Sequence, residues 1–334
     1  FMEEIDMAKK DRLKQDEGFP LSRKGLAEVV NKAATEKVPL KLRSIDLAID
    51  LEAFKFELVS PESLGKVSDE PTKPLLPKWI DQRYKPKRVV DHGRPKEKLE
   101  HRGRKVDPLV IFGSDDRRAY DDTAYPWGCV CKVIVGVGYG SGVIVGPRHV
   151  LTASHTINWA VSGGVTGSVE VNRAGPAVSA ISRITQVCAF TRVRPGDDVS
   201  FSELDEDYAV VITADRIGDR FGWLGTRTYN SSWDDEPYWI NIGYSADRAS
   251  SIFPLRQSGK ELDEHAADYG SGRLMDTTAD VNRGQSGGPM FAFWRDGPYA
   301  VAVVSAQNIA ARENYCSGGS DLPRLVRVAL TRFR

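Results

Sequence analysis

Net charge is what this 334-residue chain most plainly lacks, since 46 Lys and Arg stand against 46 Asp and Glu. With no global field of either sign, nothing in the composition draws the molecule to nucleic acid or to an anionic membrane, and neither is expected as a partner. No run of 18 or more apolar residues occurs, which excludes a transmembrane helix. The opening "FMEEIDMAKK" has neither the charged start nor the apolar core of a signal peptide, so an export signal, if the protein is secreted, is absent from this sequence. Cysteine is scarce too. Cys129, Cys131, Cys188 and Cys316 form no C-x-x-C pair and have no His at ligand spacing, which argues against structural zinc. In "WGCVCKV" strand alternation sends Cys129 and Cys131 to opposite faces, so they are not expected to bond to each other. Disulfides to other partners and buried free thiols both remain open.

Composition changes near residue 110. Before it lie only five of the 30 glycines and one of the seven tryptophans, and "LSRKGLAEVVNKAATEK" carries Leu26, Val29, Val30 and Ala33 at helical spacing behind a capping Ser22. Residues 85–108, "KPKRVVDHGRPKEKLEHRGRKVDP", are dense in charge and read as an exposed linker, with Lys87-Arg88 and Arg104-Lys105 as cleavage points. After residue 110 the texture is β. Short runs such as "CKVIVGV", "SGVIVG", "YAVVIT", "YWINIGY" and "YAVAVVSA" alternate with Gly, Asp, Asn and Pro, as in sandwiches and barrels. A helix returns only at the end, where Asp321 and Pro323 start a stripe of Leu325, Val326, Ala329, Leu330 and Phe333.

Within "RGQSGGPMF" Ser286 sits among glycines, and a serine hydroxyl near neutral pH needs a base, which in turn needs an orienting acid. For the base, "GVIVGPRHVLTASHTINW" ends a strand on a small-residue turn holding His155. His149 reads as a turn residue at a strand entry, and His92, His101 and His265 lie in charged, loop-like contexts. For the acid, Asp207 in "LDEDYAVVIT" abuts a buried-type strand, with Asp205 and Glu206 as competitors. The backbone amides of Gly284 and Ser286 can converge as an oxyanion hole if the loop turns sharply.

The segments "LTASH", "DYAVV" and "GQSGGP", in the order His, Asp, Ser with separations of 52 and 79 residues, resemble the chymotrypsin-fold serine endopeptidases. The likeness is strongest to the secreted glutamyl endopeptidases. "VIFGSDDR" with "TAYPW" looks like their mature amino terminus, "NIGYSAD" resembles one of their turns, and Gln285 before the serine is a residue they also use. The resemblance covers residues 110–334. It implies an all-β protein of two antiparallel β-barrels, residues 110–220 with His155 and Asp207 and residues 221–334 with Ser286 and a C-terminal helix. Residues 1–109 would be a partly helical propeptide with a charged linker. It further implies a secreted monomer, made as a zymogen, without cofactor, acting on polypeptides. Asp280, Val304, Ser305, Ala306 and Gln307 would line the substrate site, the last four in a strand that pairs with extended substrate.

Two positions depart from that pattern. Val304 stands where the glutamyl enzymes carry a His for the substrate carboxylate, and a buried carboxylate without a partner is costly. Asp280, six residues before Ser286, occupies the place where trypsin-like enzymes bind Arg or Lys, although glutamyl enzymes also use Asp there. Acidic, basic and broader specificity therefore all remain open. Gln285 is neutral, so the trypsinogen switch, in which a new α-ammonium pairs with an acid before the serine, is not expected. The full-length chain is nevertheless expected to be poorly active until cut. A catalytically silent binding module of the same fold is the alternative. A lipase-type elbow matches "GQSGG" but requires the order Ser, Asp, His and a following helix.

Overall fold

The computed structural model describes residues 53–89, 99–101, 104–106, 111–112, 115–136, 138–159, 166–194, 201–264, 271–308 and 313–334. The helix expected near residues 22–33 lies outside them, as do His92 and His265. The chain enters through strand β1 (Lys55–Leu58) and the short helix α1 (Pro61–Leu64), followed by a small hairpin of β2 (Leu99–His101) and β3 (Arg104–Val106) and by β4 (Arg118–Ala119).

Runs rich in Val and Ile then form β5 (Val130–Val135), β6 (Gly138–Gly146), β7 (His149–Thr152), β8 (Gly167–Val171), β9 (Ala180–Ala189) and β10 (Ala209–Thr213), with α2 (Phe201–Leu204) just ahead of β10. Their order is β9-β10-β7-β6-β5-β8, and β8 pairs back to β9, so this six-stranded barrel is closed. After α3 (Ile217–Phe221) come β11 (Gly225–Thr226), β12 (Trp239–Tyr244), β13 (Pro254–Lys260), β14 (Leu262–Glu264), β15 (Gly272–Thr277), β16 (Pro289–Trp294), β17 (Gly297–Asn308) and β18 (Glu313–Gly319). These run β14-β15-β18-β17-β16-β12-β13-β4, with β11 on the side of β17. No pairing joins the two ends among the described residues, so the expected pair of closed barrels appears as one closed barrel and one open sheet. Ile240, Ile242, Phe291, Phe293 and Val303 of the second sheet share a core with the first barrel, while Trp233, Trp239 and Trp294 centre a separate core within the second.

The C-terminal helix α4 (Asp321–Arg332) forms as its apolar stripe predicts, burying Leu325, Val326 and Ala329. Buried His149 donates to the Ala329 carbonyl at 3.1 Å, so it is a core residue rather than the turn residue expected. Burial lowers its pKa to about 4, outweighing the hydrogen bonds that favour its charged form.

Part of the region read as a removable propeptide belongs to the folded unit. Strand β1 adds in parallel to β9, Lys55 opposite Gln186 through Leu58 opposite Ala189, and Phe54, Val59 and Leu64 enter the main core. The strap then crosses to the second sheet, where Thr72 bridges Thr226 and Leu75 bridges Trp223. Gly225 lies against the Thr72 carbonyl so closely that a methyl group there would collide. From α4, Arg324 donates to the Val67 carbonyl at 3.1 Å and Arg327 to that of Glu70 at 2.7 Å. At the start of the expected linker the Lys85, Lys87 and Arg88 side chains are exposed, but the backbone is paired rather than loose. The Lys87 amide donates to Asp122 at 2.8 Å, the Lys87 carbonyl accepts from Asp121 at 3.1 Å, and the Val89 amide donates to Ala119 at 3.1 Å. Lys87-Arg88 is thus held by backbone pairing and is a poor cleavage point.

Of the two readings left open for the cysteines, the structure has the free thiols and not the disulfides. All four are buried free thiols with no disulfide among them. Burial pushes the Cys188 thiol up to about 12 and raises the other three also.

Candidate active site

His155 and Asp207 meet because β7 and β10 are antiparallel neighbours with Ala209 opposite Thr152. That register sets the entry of β10 beside the exit of β7, where a single turn of 3₁₀ helix, Ser154–Thr156, carries the imidazole. Asp207 is fully buried, and its carboxylate grips the turn twice. Oδ1 accepts from the His155 backbone amide at 2.8 Å, and Oδ2 lies 2.6 Å from Nδ1. Burial disfavours the imidazolium, yet the charge and hydrogen bond of Asp207 together hold the His155 pKa above its ordinary value. An Nδ1–H directed at the carboxylate leaves Nε2 as the acceptor.

The competing acids point elsewhere. Glu206 accepts from the Thr191 hydroxyl at 2.6 Å, and burial raises its pKa to about 7, with Asp205 and Asp321 adding to the rise. Asp205 is buried against Gly272 of β15. Asp207 Oδ2 has one further donor, the Ser305 hydroxyl at 2.5 Å. Ser305, expected only in the substrate strand, thus touches the acid with its side chain. That contact spans 98 residues of sequence, and no local pattern announces it.

Ser286 lies half-buried in the loop leading into β16. The loop is fastened to β6 by Ser141, which sequence reasoning missed. The Ser141 amide donates to the Ser286 carbonyl at 2.7 Å, and its hydroxyl donates to the Gly284 carbonyl at 2.7 Å while accepting from the Tyr244 amide at 2.7 Å. Gly287 has φ of 81° and packs against Thr152 and Ala153, two residues before His155, where a side chain would not fit. These contacts bring the serine loop and the His155 turn onto one wall. No hydrogen bond joins the Ser286 hydroxyl to the imidazole among the described residues, a bond that in empty sites often tightens only around substrate.

Gly284 has φ of 89°, so the loop takes the sharp path that converging amides need. The amides of Gln285, Gly287 and Gly288 are committed to Asn282, Val304 and Gln285. Val304 is fully buried, paired with Cys316 across β18 and, through its backbone, with Gly287 and Gly288. The β17–β18 register breaks between Val304 and Gln307, so Ser305 and Ala306 leave the ladder beside the serine loop.

Asp280 is buried, and its carboxylate is taken by backbone. It accepts from the Phe112 amide at 2.7 Å and the Asp116 amide at 3.3 Å. Those bonds pin Phe112 and Asp116 beneath the serine loop. Arg117, which follows, is also fully buried and was not foreseen as part of the site.

Comparison with known proteins bears on this geometry. Residues 140–297 match the family model of the trypsin-like peptidase domain. A glutamyl endopeptidase of Bacillus licheniformis is 27% identical over 237 residues, spanning 70% of this chain and 71% of that protein. The solved structure of a Glu endopeptidase in complex with MPD superposes with a TM-score of 0.55 at 20% identity, covering 67% of this chain and 100% of that one.

Proposed function

Taking the chain as a chymotrypsin-fold serine endopeptidase similar to the glutamyl endopeptidases, we propose that it works through Ser286 as nucleophile, His155 as general base and acid, and Asp207 as orienter. The observation that carries this reading is the double hold of Asp207 on His155, at 2.8 and 2.6 Å, on the wall that also receives the Ser286 loop. Nε2 accepts the Ser286 proton as Oγ attacks the peptide carbonyl, and the amides of Gly284 and Ser286 receive the oxyanion. The imidazolium then gives its proton to the departing amine. Water, activated in turn by His155, releases the acyl group. In this reading the nine-stranded sheet acts as the second barrel, and Ser305, Ala306 and Gln307 pair with the extended substrate backbone.

Specificity follows from two side chains. Asp280 is engaged by two backbone amides, and Val304 offers no donor to a carboxylate, so neither charge is recognised there. Val281, Val304 and Cys316 belong to one buried apolar cluster, which favours an uncharged residue before the scissile bond. A fluorogenic peptide panel checks this, and strong cleavage confined to Glu or to Arg would overturn it.

The protein is further read as a secreted monomer processed near Val110, with residues 53–89 retained on the folded unit after the cut. The amino-terminal sequence, mass and elution volume of the secreted protein test these together. The triad itself is tested by a fluorophosphonate probe followed by peptide mass mapping. Adduct on Ser286, absent in Ser286→Ala, is expected. A folded protein that takes up no probe would instead be a binding module.

A further inference from the structure

Arg117 is a cation with no exposed surface, directly behind the serine loop. Removing a guanidinium from water costs several kcal/mol unless its donors are matched. Here they are. Nε and Nη2 reach the two oxygens of Asp115 at 3.0 and 2.8 Å, while Nη1 and Nη2 reach those of Asp247 at 3.0 and 2.6 Å. Two forked carboxylates hold the planar group in one orientation. Arg248 adds a second cation 3.0 Å from Asp115.

The orientation so fixed delivers Nη1 to a further acceptor, the Gln285 Oε1 at 2.8 Å, with the Ser245 hydroxyl at 2.9 Å. A guanidinium only donates, so the oxygen of the Gln285 amide must face it and the nitrogen must face away. The remaining contacts agree. Oε1 also accepts from the Asn282 amide at 2.9 Å, and Nε2 donates to Asn241 Oδ1 at 3.2 Å and to the Asp280 carbonyl at 3.4 Å. Gln285 is therefore locked on all sides, and its backbone stands between the two amides assigned to the oxyanion.

We propose that Arg117 is the positioning residue of the nucleophile loop, holding Gln285 so that the amides of Gly284 and Ser286 face the developing oxyanion. This rests on the reading of Ser286 as nucleophile. The cationic partner of residue 285 is thus an internal side chain, and this contact needs no new chain end. Asp280, by gripping the amides of Phe112 and Asp116, keeps the segment that carries Arg117 seated against the same loop.

The test uses Gln285→Met, which cuts the link while leaving Arg117 with both carboxylates, together with Arg117→Met and Arg117→Lys. Active-site titration, kcat, KM and thermal midpoint are measured for each. An oxyanion donor acts in the transition state, so Gln285→Met is expected to lower kcat about 10- to 100-fold with KM nearly unchanged. Its midpoint should fall as well, because Met leaves the buried Asn282 amide, Asn241 and one Arg117 donor unpaired, so kcat is compared per titrated site well below every midpoint, and Arg117→Lys should recover part of the kcat lost in Arg117→Met. If Gln285→Met keeps the parent kcat per titrated site, or if the Arg117 variants lose only thermal stability, the proposal is overturned. Should the parent protein itself take up no fluorophosphonate at Ser286, the underlying assignment fails instead, so the two failures are distinguishable.

Discussion

An imidazole bound to a buried carboxylate titrates where its neighbours set it, and for His155 they set it high. Its pKa lies above the ordinary histidine value because Asp207 outweighs burial, and in the proposed reaction it acts as base only when neutral. kcat/KM should therefore fall as pH drops through that raised value. Asp207→Asn removes the charge while burial persists, so the acid limb of the profile should move to lower pH, with kcat down by about 10⁴. Ser305→Ala should move the limb the other way. Without the hydroxyl at 2.5 Å the carboxylate is less well solvated and binds the imidazolium more strongly. A pH–rate series on a small ester substrate with the two variants checks both signs, and a shared direction would contradict this account of the acid.

At the scale of elements, the C-terminal helix is fastened to the first barrel through His149 and the Ala329 carbonyl. The His149 pKa is lowered to about 4, so the folded protein keeps this residue neutral where the unfolded chain would protonate it. The stability it contributes is complete above the ordinary histidine pKa and is lost as pH falls from there toward 4. The loss is roughly 3 kcal/mol. Thermal midpoints measured between pH 7 and pH 4.5 should fall steeply for the parent and less for His149→Gln. The strands and the last helix were legible because their periodicity is strong, and His155 with Asp207 because each abuts a strand end. Arg117, Ser141 and the hydroxyl role of Ser305 were not legible, since the partners that tie them to the site lie far off in sequence, Asp207 98 residues from Ser305, Gly284 143 from Ser141 and Gln285 168 from Arg117. Strand β1 escaped for another reason. Phe54, Val59 and Leu64 are too sparse to show a period, and their burial depends on an edge that β9 provides.

For the whole molecule, the strap sets what proteolysis can do. Trypsin applied to the full chain should cut within residues 90–110 before it cuts at Lys87-Arg88, whose backbone is paired to residues 119–122. The amino-terminal fragment should then co-elute with the rest on a native column, and mass spectrometry reads both results. Leu64→Ala should destabilise the molecule by about 2–5 kcal/mol, as for a core leucine, and a shift of the denaturation midpoint measures it.

The strap also redraws the boundary of the smallest fragment able to fold. It touches β9 in the sheet that carries His155 and Asp207 and Thr226 in the sheet joined to the Ser286 loop, so both halves of the cleft lean on it. A polypeptide beginning at residue 110 would leave the β9 edge bare and the groove above Gly225 unfilled. Residues 53–89 supplied as a separate peptide should restore it, in the manner of a split enzyme whose smaller piece carries no chemistry at all.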